Sequence, residues 1–150
     1  MGWARRLIPP AWLLVALAMS AALHHWLPIA QLLAPPARRY GVLLVVVGVV
    51  LAFAGVAAFR RARTSVIPFE RATTLVTGGI YRFTRNPMYL GLTLVLAGVA
   101  LLLGSIGALL PLPLFVCIIH YGYIRAEERF LAEIFGGDYA HYTHAVRRWL

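Results

Sequence analysis

The sequence predicts an all-α integral membrane protein with about four transmembrane helices, and three observations carry that expectation. Hydrophobic residues fill 61% of the 150 positions and charged residues only 13%, about half the share that covers a soluble domain; mean hydropathy is +0.79. The apolar residues are gathered into long runs. All 14 basic residues are arginines, and they stand at the ends of those runs. A helix satisfies its own backbone inside hydrocarbon. Strands would need closure into a barrel, and the alternation that a barrel requires is missing.

The first run, residues 10–33, contains His24, His25 and Pro28. The second, residues 40–59, is free of charge and long enough for a hydrocarbon core of about 30 Å. Residues 88–123 are too many for one crossing at about 1.5 Å of rise per residue. A break near Gly104-Ser105 and Gly107 turns them into a helical hairpin, with spans 88–104 and 106–123. The chain reads as a single membrane domain with polar regions at 60–87 and 124–150. Arg38 and Arg39 fall between the first two spans; every other arginine falls on the opposite side. Because basic residues accumulate on the cytoplasmic side, both termini and both polar regions are expected there, in a bacterial inner membrane. A rival reading takes Arg5-Arg6, the apolar run and Ala18-Met19-Ser20-Ala21-Ala22 as a cleavable leader, which would leave three spans.

The net charge of +9 does not point to nucleic acid, because the arginines flank apolar runs instead of interleaving with aromatics. Anionic lipid is the expected counterpart. Cys117, the single cysteine, allows no intrachain disulfide and reads as a buried small hydrophobe. His24 and His25 read as a helix contact or an outer-interface pair, His120 as an interface residue, and His141 and His144 as surface residues. No metal-ligand set, P-loop or Ser-His-Asp arrangement is legible, and oligomeric state is left open.

The hairpin joins the two polar regions, so they should meet in space. In the first, Gly78-Gly79 permits tight or positive-φ backbone. Asn86-Pro87 reads as a helix start, with Asn86 as N-cap and Pro87 in the first turn. Free N–H groups beyond it would suit a carboxylate or phosphate; the plain alternative is an ordinary capped membrane helix. In the second region, Phe130, Leu131, Ile134 and Phe135 share a helical face, Gly136-Gly137 stops the helix, and Asp138 can cap the next. Tyr139, Tyr142, Val146 and Trp149 continue at three- and four-residue spacing, as an interfacial helix pair would. Glu127-Glu128, at the mouth of the fourth span, would hold a ligand ammonium or pair with Arg125 and Arg129.

Five blocks together resemble the signature of the isoprenylcysteine carboxyl methyltransferase and phospholipid methyltransferase family. They are Leu75-Val76-Thr77-x-Gly79-x-Tyr81, Arg85-Asn86-Pro87-x-Tyr89-x-Gly91, Glu127-Glu128-x-x-Leu131, Phe135-Gly136-x-x-Tyr139-x-x-Tyr142 and Val146-x-Arg148. Order and spacing agree over residues 60–150; the first two spans match in hydrophobicity alone. The resemblance implies S-adenosylmethionine-dependent methyl transfer at the cytoplasmic membrane face. It implies a cofactor site formed by Thr74, Leu75, Val76, Tyr81, Asn86, Pro87, Met88, Tyr89, Glu127 and Glu128. Arg125 and Arg85 are the candidate acceptor contacts. The implied partners are membrane lipid and a lipophilic or small-molecule acceptor bearing a carboxylate, amine or thiol. Eukaryotic prenylcysteine enzymes carry His where this chain has Asn86, so the resemblance does not fix the acceptor. Two alternatives are a sterol-type membrane reductase, with Arg82 and Arg85 on the 2′-phosphate of NADPH, and a non-catalytic membrane scaffold.

Overall fold

The computed structural model describes residues 8–27, 30–31, 38–64 and 73–150. Arg5, Arg6 and Arg71, which enter the orientation argument, and Pro28 of the first run lie outside them. The described elements are α1 (Pro9–Trp26), α2 (Tyr40–Arg61), a 3₁₀ turn (Gly79–Arg82), α3 (Pro87–Leu103), the short α4 (Ile106–Leu109), α5 (Pro111–Ile119), a π-helical turn (His120–Ile124) and α6 (Arg125–Ala145). Among the described residues there is no strand, only one isolated bridge between Gln31 and Ser105. The all-α expectation therefore holds. Two helical stretches, Tyr40–Arg61 and Ile106–Ala145, are long and apolar enough to cross a membrane, and Pro87–Leu103 is a shorter apolar helix. α2 turns Val42, Leu43, Val46, Val50 and Phe53 outward, an apolar face suited to lipid. Cys117 is also exposed, contrary to expectation: in an apolar helix surrounded by lipid, an exposed face is as compatible with a small hydrophobe as the core.

α2 and α3 pack antiparallel along a seam of glycines. Gly41, Gly48 and Gly55 recur every seven residues and meet Gly98, Gly91 and Met88. A Cβ on Gly48 would lie 2.5 Å from the carbonyl oxygen of Gly91, and one on Gly91 would lie 2.5 Å from that of Gly48. In a bilayer, where apolar surface gains little by leaving lipid, close backbone approach at small residues drives helix association. The seven-residue spacing was visible in the sequence; the partner helix was not.

Within the run expected to form the first span, residues 10–33, residues 28–29 and 32–33 lie outside the described ones, and α1 ends at Trp26. Its end is tied to the hairpin turn. Gly104 adopts φ +76 as the left-handed stop of α3, the role that glycine fills most easily. Ser105 caps α4 by accepting from Ala108 N and also meets His24 Nδ1 at 2.9 Å, while Ile106 N donates to Ala30 O. His24 is thus a helix-contact residue. The fourth span is not one regular helix: α4 gives way to Pro111 and α5, then to the π turn, and the chain continues directly into α6.

At the other end α2 stops without glycine. Arg63 takes φ +51, Thr64 N donates to Phe59 O and Arg63 N to Arg60 O, the paired bonds of a Schellman stop. Thr64 Oγ1 then accepts from Thr73 N, pinning the returning chain near the end of α2.

Candidate functional site

The two polar regions do meet, at the end of the bundle remote from the Gly104-Ser105 turn. Between them lies a small, open-mouthed cleft with about 70 Å³ of free volume. Of the residues singled out in the sequence, Thr74, Leu75, Val76, Tyr81, Arg85, Asn86, Met88, Tyr89, Glu127 and Glu128 line it.

Two do not. Pro87 is buried in the first turn of α3, against α2. Arg125 is exposed and lies with its guanidinium 5.7 Å from the Tyr121 ring centre, outside the cleft lining. Consecutive helical residues point about 100° apart, so Arg125 and Glu127 cannot share a direction.

Each wall has a local cause. Gly79 adopts φ +63, as the Gly78-Gly79 pair led one to expect, and the 3₁₀ turn that follows buries Tyr81. Tyr142 on α6 donates to Tyr81 O at 2.7 Å, fixing α6 to that turn. Asn86 heads α3, but its side chain does not cap the helix. Its Nδ2 instead donates to Arg148 O at 2.9 Å, and Thr84 Oγ1 accepts from Asn86 N. The buried carbonyl of Arg148 needs a donor, and the Asn86 amide supplies one. The helix start at Asn86-Pro87 is as expected, but the Asn86 side chain does not serve as its cap.

The π turn lies directly ahead of the carboxylates. Such turns insert an extra residue and re-aim the face that follows, often at functional sites. Beyond it Glu127 and Glu128 take different partners. Glu127 Oε1 accepts from Tyr89 at 2.7 Å, and among the described residues no arginine lies within salt-bridge distance of it. Glu128 accepts from Arg148 Nε at 2.9 Å and NH2 at 2.7 Å and pairs with Arg85 at 3.2 Å. The expected partners, Arg125 and Arg129, are not the ones used. Burial pushes the Glu127 carboxyl up to about 7, Glu128 adds to the rise, and the Tyr89 hydrogen bond opposes it. Burial likewise holds the phenols of Tyr81, Tyr139 and Tyr142 above their ordinary range. Arg85 Nε is buried without a partner among the described residues.

Four lining residues were absent from the sequence-derived site: Phe59, Leu131, Tyr139 and Tyr142. The last three stood in the matched blocks and read there as the apolar face of an interfacial helix. Phe59, in the last turn of α2, carried no signal. The anticipated face itself is divided, since Leu131 and Phe135 pack with Tyr81, Tyr139 and Tyr142 whereas Ile134 is exposed. Gly136 breaks α6 with φ 48 and ψ −116, where a stop was expected, and Tyr139, Tyr142 and Val146 return to the cleft side.

A helical bundle with apolar outer faces and a cleft of carboxylate, arginine and tyrosine at its end fits a membrane protein. The chain belongs to the phospholipid methyltransferase family, whose model matches residues 37–138, and it is a methyltransferase. It is 31% identical, over 89% of its own length and 74% of the relative's, to a probable protein-S-isoprenylcysteine O-methyltransferase of Oryza sativa subsp. indica. Protein-S-isoprenylcysteine O-methyltransferase A of Arabidopsis thaliana is 28% identical over 72% of this chain and 56% of that one. An uncharacterized protein of Haemophilus influenzae is 41% identical over 42% of this chain and all of its own. No solved structure matches the chain at a significant level. The reductase and scaffold readings give way to the family.

Proposed function

We propose that the chain transfers a methyl group from S-adenosylmethionine to a lipophilic or small acceptor at the cytoplasmic face of the membrane. The observation that carries the donor is Glu127: a half-buried carboxylate lining the cleft, held by one phenol, with no arginine among the described residues within salt-bridge distance. It suits a ligand ammonium. The first turn of α3 lacks a side-chain cap, so its N–H groups are suited to the donor's carboxylate. The faces of Tyr81 and Tyr89 suit a cationic centre. When bound, S-adenosylmethionine supplies an electrophilic methyl group on a sulfonium. The chain's own residues would hold the ammonium at Glu127, receive the carboxylate near Met88 and Tyr89, and exclude water with Phe59, Leu75, Leu131 and Tyr139. Holding donor and acceptor in line would supply about 7–11 kcal/mol of the barrier for a displacement by a carboxylate or thiolate. Arg85 lines the cleft with an unpartnered Nε and is the better placed of the two arginines to meet an anionic acceptor head.

S-Adenosylhomocysteine is expected to raise the thermal unfolding temperature in detergent, while NADPH leaves it unchanged; the reverse result would sink the donor assignment. With labelled donor, membrane-extracted lipids should accept methyl groups. Methylation confined to water-soluble thiols and acids, at rates indifferent to added lipid, would exclude a lipophilic acceptor that enters from the bilayer.

Four spans with both termini cytoplasmic complete the proposal. Supporting it, Arg38 lies against Gly104, so the loop holding the two segregated arginines shares an end with the hairpin turn, opposite the cleft. Reporter fusions after Arg38 and Ser105 should read periplasmic and one after Arg71 cytoplasmic. A cytoplasmic reading after Ser105 would contradict this orientation.

A further inference from the structure

Beyond α6 the chain folds back across the base of the cleft. Val146 is extended and packs with the tyrosine cluster around Tyr81. Arg147 O accepts from Arg85 N at 3.0 Å. Arg148 O accepts from both Asn86 Nδ2 and Thr84 Oγ1, and its guanidinium forks onto both oxygens of Glu128. Trp149 packs against the core cluster of Tyr89, Tyr123 and Ile124 and stacks on His120, with ring centres 6.5 Å apart. Residues 146–149 therefore strap the segment before α3 to the start of α6, the two elements that face each other across the cleft.

This strap explains why two adjacent carboxylates are treated so differently. A bidentate guanidinium–carboxylate pair fixes position as well as charge. Arg148 from the strap and Arg85 from the loop clamp Glu128 between them, and among the described residues no arginine lies within salt-bridge distance of Glu127. We propose that Arg148 is a positioning residue: by neutralising Glu128 from the strap, it leaves Glu127 as the one carboxylate of the pair available to a cationic ligand group. The ligand part of this inference rests on the donor assignment above; the division of labour between the two carboxylates does not.

The groups that face Glu127 are Tyr89 from α3, which donates to it, Tyr81 from the 3₁₀ turn, and Glu128 beside it on α6. Arg85 and Arg148 act through Glu128, Tyr139 lies against the same pair, and His120 faces Glu128 and Arg148 from the π turn. Removing the Arg148 charge leaves Glu128 with Arg85 alone, and a less compensated neighbour of like charge makes Glu127 harder to ionise. The titration of Glu127 can be followed without any ligand, by the infrared carboxyl stretch of the purified protein, with Glu127→Gln as the blank.

Arg148→Met should move the Glu127 midpoint upward by roughly half to one pH unit. Arg148→Lys, which keeps the charge, should hold it near the wild-type value. Arg148→Met/Glu128→Gln should return it to or below that value, because the uncovered carboxylate is gone and Arg85 is freed. A role in packing alone would move the midpoint as far in Arg148→Lys as in Arg148→Met, and that result overturns the proposal. So does an unmoved midpoint in Arg148→Met. Should Arg148→Met not fold, Arg148→Gln decides: a folded protein with a raised midpoint supports the proposal, and an unmoved midpoint or a second failure to fold overturns it. S-Adenosylhomocysteine binding to the wild-type protein, measured on the same samples, tests the donor assignment separately, since its absence would remove the ligand and leave the titration result standing.

Discussion

Glu127→Gln is expected to weaken S-adenosylmethionine binding by about 1.5–3 kcal/mol, the value of a hydrogen bond to a charged group, or roughly ten- to 150-fold in Kd. The amide oxygen can still accept from Tyr89, so the cleft should keep its shape while it loses its charge. The variant should also change the pH dependence of binding. The folded protein holds the Glu127 carboxyl at about 7, above its ordinary 4.5. An ammonium binds the ionised form, so wild-type affinity should fall as pH drops below about 7, approaching tenfold per unit, and level off above it. Glu127→Gln should show no such slope.

Stability without ligand should run the other way. A carboxyl whose folded value is raised binds more protons when folded. Its contribution to stability is therefore present at low pH and is lost as pH rises from about 4.5 to about 7. Glu127→Gln removes that loss, so at pH 8 the ligand-free variant should unfold at a higher temperature than the wild type. Isothermal titration between pH 5 and 8, with thermal unfolding on the same samples, measures both. A variant that binds as tightly as wild type at pH 8 would show that Glu127 serves the fold alone.

The second large effect concerns the α2–α3 seam. Gly48→Ala adds a Cβ 2.5 Å from the Gly91 carbonyl oxygen and 2.8 Å from Val95 N. Both are backbone atoms, so no side chain can swing aside and the helices must separate. Alanine's better helix propensity favours the variant by about 1 kcal/mol. Overpacking of this kind costs typically 1–3 kcal/mol, and here the loss extends along the interface. A net destabilisation of about 2 kcal/mol is expected for Gly48→Ala, and failure to accumulate as folded protein for Gly48→Leu. Gly91→Ala meets the same seam from the other side, and once the helices have parted the second methyl meets less resistance. The double variant should therefore cost clearly less than the sum of the two. Gly137→Ala, with open space around its Cβ, should be neutral or slightly stabilising. Unfolding temperatures in detergent rank the four variants, and a Gly48→Ala protein as stable as wild type would remove the seam as a source of stability.

The sequence by itself determined the solvent and the class. Low charge and long apolar runs require helices whose outer faces meet lipid, and that requirement depends on composition and run length, not on contacts. The hairpin turn was legible because Gly104 and Ser105 carry their conformational preferences locally, and so were the start of α3 at Pro87 and the break at Gly136. Tertiary structure decided what depends on a second segment: that Gly48 faces Gly91, that Asn86 serves the carbonyl of Arg148 and not its own helix, and that Phe59 closes the cleft. It also separated two neighbouring glutamates that look equivalent in the chain. A helix turns each residue about 100° from the last, so Glu128 meets Arg85 and Arg148 while Glu127 meets Tyr89. Charge can be counted along a sequence, but whether it is neutralised depends on what the fold brings within about 4 Å of it.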